Sequence, residues 1–337
     1  MIAPVRHPFR ALGLAVGRPH IPFAEALTLA ERAEAAGFGM IAAGEGFVES
    51  FSLMGALTQR TRTAELITTI TTWTRTPATT ALALATLADL SEGRYRAGFG
   101  SMPRAWSEGW HGVASSRPVD RMRDFIGAVR SVLDARTGAP VDHEGPFYRV
   151  RGYEPLSGPP RSRVPIYIGA TGPKMAALAG EIGDGVIFNT LHSVSWLHDV
   201  ASPALRGALA AAGRTRAQCD VGLLAYCSVA DDRARAFDLA RPALAFYFGI
   251  PYFARLLRHH GWERALETRT VSDEMVEAMT ISGTPDEVGD TLRRYEGLVD
   301  WIVLVTPLGN APEVTRALTD RIVSTFAASP VSVGRAR

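Results

Sequence analysis

Eight short apolar stretches alternate with longer segments of helical periodicity along this chain of 337 residues. Short apolar runs bounded by turn residues predict buried strands, here over residues 12–16, 40–43, 66–72, 95–99, 166–168, 186–188, 221–229 and 301–305. Helices are predicted from Phe23 to a stop at Gly37 and over residues 52–59, 77–90, 117–135, 173–181, 195–212, 285–295 and 313–327. Strands that each lead into a helix predict an α/β protein with the (β/α)8 TIM-barrel fold.

A doubly wound sheet is the main alternative to the barrel, and its glycine fingerprint is absent. GxGxxG should follow the first strand, but the chain reads AVGRPHIPF there, and the near match GFGSMP has Pro103 in place of the third glycine. We therefore expect one barrel domain over residues 1–337. Residues 231–280 show helical patterns without a strand and predict a helical insertion between the seventh strand and the last barrel helix. Residues 138–160, rich in Gly and Pro, predict an excursion that holds a hairpin.

Composition excludes several classes of protein. The 36 basic and 34 acidic residues are spread along the chain and give a net charge of +2, so we expect no nucleic-acid partner. No apolar run approaches the ~18 residues of a membrane span, and no secretory leader is seen, so we expect a cytoplasmic protein. Two cysteines and scattered histidines predict neither a disulfide framework nor a metal site. A GxSxG elbow is also absent, which leaves serine hydrolase chemistry unsupported.

The strongest local signal is the segment IYIGATGPKMAALAGE, in which a strand turns directly into a helix. The dipole of a helix favours an anion at its N-terminus, and the free N–H groups there would be those of Thr171, Gly172, Lys174 and Met175. Lys174 is the one lysine of the chain. Two interpretations stay open: a phosphate-binding turn, or a tight turn that the Thr171 side chain caps.

Polar side chains follow the second and third predicted strands. Glu45, in GEGF, lies where a barrel places catalytic carboxylates, but a loop glutamate is also commonly a solvated charge. The run ITTITTWTRTP either lines a polar pocket or merely satisfies strand propensity, and its candidate residues are Thr68, Thr69, Thr71 and Thr72.

The loop GSMPRAWSEGWHGVASS after the fourth strand is long, aromatic and polar at once. Trp106 and Trp110 would suit a flat ligand, and Glu108 and His111 would suit proton exchange. Ordinary packing within the loop explains the same residues equally well.

Together these segments resemble the bacterial luciferase-like superfamily, and in particular its branch that depends on the deazaflavin coenzyme F420, typified by methylenetetrahydromethanopterin reductase. The resemblance extends in order from Gly13 to about Thr325. The matching segments are GFGMIAAGEGF, TRTPATTALALATLADLSEGRYRAGFGS, SEGWHG, VPIYIGATGPKMAALAGEIGDGVIFN and GTPDEVGDTLRRYEGLVDWIVLVTP.

The resemblance implies a homodimeric barrel that holds a flavin-like ring at the C-terminal ends of its strands. In this branch a bulge with a non-proline cis peptide in the third strand supports the ring, and Thr68-Thr69 occupies that place here. The loop after the fourth strand flanks the cofactor's side chain, and the turn after the fifth strand takes its phosphate. The implied cofactor residues are Gly44, Thr68, Thr69, Thr71, Gly100, Ser101, Met102, Gly169, Ala170, Thr171, Gly172, Pro173, Lys174 and Met175.

Two departures from the resemblance bear on the reaction. An acidic residue followed by histidine often ends the second strand in this branch, whereas Gly46 follows Glu45 here. A glutamate common in its sugar-phosphate dehydrogenases is replaced by Met102-Pro103. Reduction of an activated C=C or C=N bond of a small substrate therefore fits better than alcohol or sugar-phosphate oxidation. The candidate catalytic residues are Glu45, His111 and Glu108, with water as a further proton donor.

Two other functions stay open. One is an FMN-dependent monooxygenase of the same superfamily, and the other is a barrel that has lost catalysis, as the missing histidine would allow. The predicted insertion also carries an aromatic cluster that either covers the site or packs in a core or dimer interface, namely Phe246, Tyr247, Phe248, Tyr252 and Phe253.

Overall fold

The computed structural model describes residues 7–17, 19, 21–46, 48–156, 159–250 and 252–327. The ends of the predicted 1–337 domain therefore lie outside the described residues. The strands are β1 (Ala11–Ala15), β2 (Met40–Ala43), β3 (Glu65–Thr68), β4 (Tyr95–Phe99), β5 (Val141–Glu144), β6 (Arg149–Tyr153), β7 (Ile166–Ala170), β8 (Gly185–Phe188), β9 (Asp220–Val229), β10 (Ile281–Gly283) and β11 (Trp301–Val305).

The helices that alternate with these strands agree closely with the periodic segments of the sequence. They are α1 (Phe23–Ala35), α2 (Ser50–Arg60), α3 (Pro77–Leu90), α4 (Arg104–His111), α5 (Pro118–Leu133), α6 (Pro173–Ile182), α7 (Val194–Trp196), α8 (Ser202–Ala211), α9 (Arg233–Tyr247), α10 (Phe253–His259), α11 (Glu263–Thr268), α12 (Asp273–Met279), α13 (Pro285–Arg293) and α14 (Pro312–Phe326). A π-helical turn, Leu197–Ala201, joins α7 to α8.

Within the described residues, nine strands form one sheet in the order β10-β9-β11-β1-β2-β3-β4-β7-β8, and β8 also pairs with β9. The β1–β11, β3–β4, β4–β7 and β7–β8 pairs are parallel. This topology is that of a (β/α)8 barrel, and the predicted fold class is confirmed. Strands β5 and β6 form a separate antiparallel hairpin, as the sequence of that excursion predicts.

Three elements differ from the sequence predictions. Strand β3 ends at Thr68 rather than at residue 72, and the predicted strand residues beyond Thr68 form a bulge. The loop after β4 contains a helix, α4, with a left-handed Gly112 at its end. The short strand β10 pairs with β9 immediately after the helices of the insertion, in a stretch too short to show a period.

Contacts divide the chain into two compact units. The first comprises the described residues within 1–41, 190–194 and 223–337, and the second comprises those within 42–189 and 195–222. In the first unit, β1 pairs with β11 from Ala11 and Trp301 onward, and Leu14 and Trp301 are fully buried. In the second, Phe99 of β4 packs edge-on against Phe125 of α5, with ring centroids 5.4 Å apart.

The helical insertion belongs to the first unit. Tyr247 packs against Phe253, with ring centroids 4.1 Å apart, and the Tyr247 hydroxyl lies 3.1 Å from that of Tyr226. Phe253 is buried, Phe248 and Tyr252 are half-buried, and Phe246 is exposed. Core packing therefore accounts for Tyr247 and Phe253 of the aromatic cluster.

The hairpin of β5 and β6 is anchored to α5 by one buried carboxylate. Asp124 accepts hydrogen bonds from the backbone N–H groups of Phe147 at 2.7 Å and Tyr148 at 2.9 Å, and it lies 2.6 Å from Nε2 of His143. The Tyr148 hydroxyl donates to the carbonyl oxygen of Trp73 at 3.3 Å. The hairpin is thereby fixed against the loop that follows β3.

Candidate active site

The ends of β2, β3 and β4 meet around residues 69–72. Thr69 N donates to the carbonyl of Ala43 at 2.8 Å, and Thr71 N donates to Gly98 at 2.8 Å. The peptide bond between Thr69 and Ile70 is cis. The non-proline cis peptide implied by the family resemblance is therefore present, one residue later than the predicted Thr68-Thr69 position.

Three glycines allow the chain to pass close to this bulge. A Cβ added at Gly100 would lie 2.6 Å from Cδ1 of Ile70, and one at Gly169 would lie 2.8 Å from its Cγ2. A Cβ at Gly44 would lie 2.5 Å from the carbonyl oxygen of Thr69. Such contacts are too short for real side chains, so the half-buried Ile70 side chain occupies space that Gly100 and Gly169 leave open, and the Thr69 carbonyl uses the space at Gly44.

Two of the predicted cofactor threonines are used inside the protein. The buried Thr68 hydroxyl accepts from the backbone N–H of Gly98 at 2.9 Å and lies 3.3 Å from the hydroxyl of Tyr95. Burial raises the pKa of Tyr95 far above its usual value, so this phenol stays protonated. Thr71 is likewise fully buried, whereas Thr69 is only half-buried.

Glu45 projects from the end of β2 and is held from several directions. One of its oxygens, Oε2, accepts from the Thr71 hydroxyl at 2.6 Å and from the Thr72 backbone N–H at 3.2 Å. The other oxygen, Oε1, pairs with the guanidinium of Arg75. Since only 10% of the Glu45 side chain is exposed, most of its hydration is replaced by these three contacts.

Arg75 is the centre of this cluster. Its guanidinium pairs with both Glu45 and Glu49, donates to the Thr71 hydroxyl at 3.1 Å and lies 4.9 Å from the ring centre of Phe51. Burial lowers the pKa of Arg75, but hydrogen bonds and charges from the two glutamates outweigh burial, so the pKa is raised overall. For Glu49 the effect of burial has the opposite sign and raises the pKa. Hydrogen bonds from Ser52 and the charge of Arg75 outweigh burial, so the pKa of Glu49 lies below its usual value.

The start of α6 lacks a protein acceptor for its first N–H groups. Its N-cap is Gly172, and no side chain caps it, Thr171 included. The N–H groups of Lys174 and Met175 make no hydrogen bond to the described part of the chain. Lys174 is exposed and forms no ion pair with any described residue. A cation at a helix N-terminus opposes the helix dipole, so an anion bound there would relieve an unfavourable arrangement.

The remaining predicted cofactor residues differ in accessibility. Gly100, Ala170 and Met175 are buried, and Gly169 and Pro173 are half-buried with Met102. Ser101, by contrast, is exposed. Most of these positions can therefore offer a ligand their backbone groups rather than their side chains.

The other two catalytic candidates lie on α4. Glu108 pairs with Arg104 at 2.9 Å and accepts from the Ser115 backbone N–H at 3.2 Å, and these contacts lower its pKa. His111, the last residue of the helix, is exposed. In the described structure, no hydrogen bond or ion pair joins either of them to Glu45, so the three candidates do not form one bonded cluster.

Two aromatic side chains cover one side of α4. Trp106 and Trp110 stack with ring centroids 4.6 Å apart and an interplanar angle of 10°. Trp110 is 59% exposed, so an indole face remains available to a flat ligand.

Residues 7–300 match the model of the luciferase-like monooxygenase family. The chain belongs to this family. That match covers the whole β2–β4 site and the start of α6.

Two relatives that match most of this chain are named as a reductase and as a putative oxidoreductase. A 5,10-methylenetetrahydromethanopterin reductase of Archaeoglobus fulgidus is 32% identical over 279 residues, which cover 77% of this chain and 82% of the relative. A putative coenzyme F420-dependent oxidoreductase of Mycobacterium tuberculosis is 29% identical over 331 residues, which cover 85% and 91% of the two chains. The solved structure of an F420-dependent secondary alcohol dehydrogenase, in complex with an F420-acetone adduct, has a TM-score of 0.77 at 20% identity. The superposition covers 94% of this chain and 98% of the dehydrogenase chain, and it supports the fold.

For the described residues, the structure shows no group of three or more His, Cys, Asp or Glu side chains that could hold a metal ion. Among the helices described, none is long and apolar enough to span a membrane.

Sequence reasoning missed Arg75 and Ile70. Arg75 lies in ITTITTWTRTP, whose threonines drew attention, but a cation one loop away from Glu45 already offers a complementary charge. The position of Ile70 depends on Gly100 and Gly169, which follow or lie in two other strands, and a single sequence carries no signal for that arrangement.

Proposed function

We propose that this luciferase-like family member is a coenzyme F420-dependent oxidoreductase that reduces an activated C=C or C=N bond of a small organic substrate. Two relatives support the cofactor and the direction, since one is named a reductase and the other an F420-dependent oxidoreductase, and each matches most of the chain. The substrate class rests on the replacement of a common histidine by Gly46 and of a common glutamate by Met102-Pro103.

The observation that carries the cofactor proposal is the start of α6. Its uncapped N–H groups, together with the ammonium of Lys174, which pairs with no described residue, form a donor set that suits the phosphate of F420. The Ile70 segment, flanked by Gly100 and Gly169, would support the ring of the cofactor, and Gly100 to Met102 would flank its side chain.

Bound in its reduced form, F420 supplies a hydride, because its deazaflavin ring has carbon at position 5 and transfers two electrons together. The chain must orient the substrate, exclude competing water and place one acid near the second atom of the double bond. His111 is exposed and free of ion pairs in the described structure, so we propose His111 or a water molecule as the proton donor. Glu108 is held as an anion by Arg104 and would orient this helix instead.

Equilibrium binding of the purified protein to F420 and to FMN, followed by fluorescence, tests the proposal. We expect F420 to bind at micromolar concentration or below and FMN to bind more weakly. Preference for FMN would favour the monooxygenase chemistry after which the family is described. Binding of neither would favour a barrel without catalysis.

A screen of substrates then tests the reaction class. With reduced F420 in excess, activated alkenes and imines should give substrate-dependent oxidation of the cofactor. Measurable turnover of secondary alcohols or sugar phosphates with oxidised F420 would contradict the proposed substrate class while leaving the cofactor assignment intact.

The assembly is proposed on the family resemblance, and the location on the expectation from the sequence. We propose a homodimer that works in the cytoplasm. Size-exclusion chromatography with light scattering would give twice the chain mass of 36.3 kDa for a dimer, and a mass of one chain would contradict it.

A further inference from the structure

Glu45 fixes the segment from Ile70 to Thr72 by three hydrogen bonds. Its backbone N–H donates to the carbonyl of Ile70 at 2.9 Å, and its carboxylate accepts from the Thr71 hydroxyl and the Thr72 N–H. The same residue therefore holds both ends of the short segment that carries the Ile70 side chain against Gly100 and Gly169.

Arg75 in turn fixes the carboxylate of Glu45. Only 22% of its side chain is exposed, and its guanidinium is held by the two carboxylates of Glu45 and Glu49 and by the ring of Phe51. It also donates to the Thr71 hydroxyl, which in turn donates to Glu45. Glu45, Arg75 and Thr71 thus form a closed ring of contacts, in which each side chain determines the orientation of the next.

In this ring the carboxylate of Glu45 acts only as an acceptor of hydrogen bonds. An ionised carboxylate only accepts hydrogen bonds, and three of its acceptor positions are taken by Thr71, Thr72 and Arg75. A protonated Glu45 would have to turn an O–H toward one of three donors. The single proton of the Thr71 hydroxyl is also committed, so this threonine offers no donor to a ligand.

We propose that Arg75 is a positioning residue: through Glu45 it braces the Ile70 segment, and Glu45 serves there as a fixed anion rather than as the proton donor of the reaction. The proposal rests on the proposed function, in which the Ile70 segment supports the cofactor ring. It assigns Arg75 and Glu45 to cofactor affinity, and it leaves proton transfer to another group.

The first test replaces the guanidinium by an apolar side chain of similar length, Arg75→Met. Truncating one partner of a buried charge pair leaves the other charge uncompensated, so we expect F420 to bind about tenfold or more weakly. Arg96→Met is a matched control, because Arg96 is 20% exposed and pairs at 3.1 Å with Glu65, also 20% exposed, near the N-terminal ends of β4 and β3 and away from the Ile70 segment. We expect that control to keep the F420 affinity of the original protein even if its thermal midpoint falls.

The second test separates a brace from an acid. In Glu45→Gln the shape is kept, but the charge that holds Arg75 and one acceptor position are lost. If Glu45 is a brace, F420 affinity falls and substrate turnover at saturating F420 falls by a similar or smaller factor. If Glu45 is the acid, turnover falls at least about a hundredfold while F420 affinity is unchanged, since general acid catalysis is typically worth that much. That second pattern would overturn the proposal.

Two further variants keep the proposal testable if Arg75→Met fails to fold. Arg75→Lys keeps the charge but loses the forked geometry, and Thr71→Val keeps the volume but opens the ring of contacts. Each should weaken F420 binding with a smaller loss of thermal midpoint than Arg75→Met. Unchanged F420 affinity in both would overturn the inference alone, whereas an original protein that binds no F420 would overturn the proposed function.

Discussion

At the scale of single residues, the backbone at Gly46 disfavours the histidine that the family resemblance would place after Glu45. Its φ of +126° lies in a region of backbone conformation that residues other than glycine rarely adopt. A Cβ at this position would meet nothing within 4 Å, so space is not the obstacle. A histidine there would strain the backbone, which agrees with the proposal that another group transfers the proton.

Replacing Gly46 by alanine is therefore expected to be destabilising even though the site is open. We expect the free energy of unfolding to fall by about 1–3 kcal/mol, the cost of holding a side chain in such a conformation. Gly55→Ala is the matched control, because Gly55 lies inside α2 with nothing within 4 Å of its Cβ, and there alanine should stabilise by roughly 0.5–1 kcal/mol. Urea unfolding of both variants checks the opposite signs, and equal stability of Gly46→Ala and the original protein would contradict the strain.

At the scale of elements, the N-terminal ends of the helices are satisfied in different ways. Helices α2, α3 and α9 begin with side-chain caps from Glu49, Thr76 and Asp232. Helix α6 begins with Gly172, which has no side chain to offer. Its φ of −155° is extended backbone that any residue adopts, so a larger residue can be introduced without backbone strain.

A bulky side chain at the start of α6 is expected to act on ligand binding rather than on the fold. Gly172→Leu should weaken F420 binding about tenfold or more by blocking the approach of a phosphate to the helix N–H groups. Its thermal midpoint should stay close to that of the original protein. Fluorescence titration measures the affinity, and unchanged affinity would refute the assignment of this turn.

The hairpin of β5 and β6 depends on α5 through one carboxylate. In Asp124→Ala the N–H groups of Phe147 and Tyr148 lose their acceptor, so we expect the free energy of unfolding to fall by about 2–4 kcal/mol. Asp142→Ala is the control from the same hairpin, because Asp142 is exposed although it accepts from Gly152 at 2.6 Å. Urea unfolding measures both. A smaller loss for Asp124→Ala than for the control would contradict the anchor.

How far the sequence could predict these elements depends on the range of the forces that form them. Apolar runs and helical periods are local, and they located the eight barrel strands and the hairpin excursion. The ring of contacts around Arg75 depends on Glu45, 26 to 30 residues away in sequence, and the bulge at Thr69-Ile70 also depends on the still more distant Gly169. No local pattern encodes these contacts. The helix α4 was missed because Pro103 and Gly109 are typical of a loop.

At the scale of the whole molecule, we expect the free energy of unfolding to decrease in two steps as the pH is lowered. Burial lowers the pKa of His260 below its usual 6.5, and the charge of His259 adds to this, so the unfolded chain takes up a proton first and stability falls below about pH 6.5. A backbone hydrogen bond from Thr284 lowers the pKa of Glu287, and its stabilisation is lost below the usual value of 4.5.

Thermal midpoints measured from pH 8 to pH 4 check this order. His260→Gln should flatten the decline between pH 6.5 and 5 and leave the acid step in place. A His260→Gln profile that follows the original one throughout would contradict the first step.

One residue at the start of α6 also makes the whole molecule simple to tag. Because Lys174 is the chain's sole lysine and its side chain is exposed, an amine-acylating dye has one side chain to modify besides the terminal amine. The same position is the one that a bound phosphate would shield. The rate at which the dye reacts at the Nζ atom of Lys174, compared with and without added ligand, therefore measures occupancy of the site.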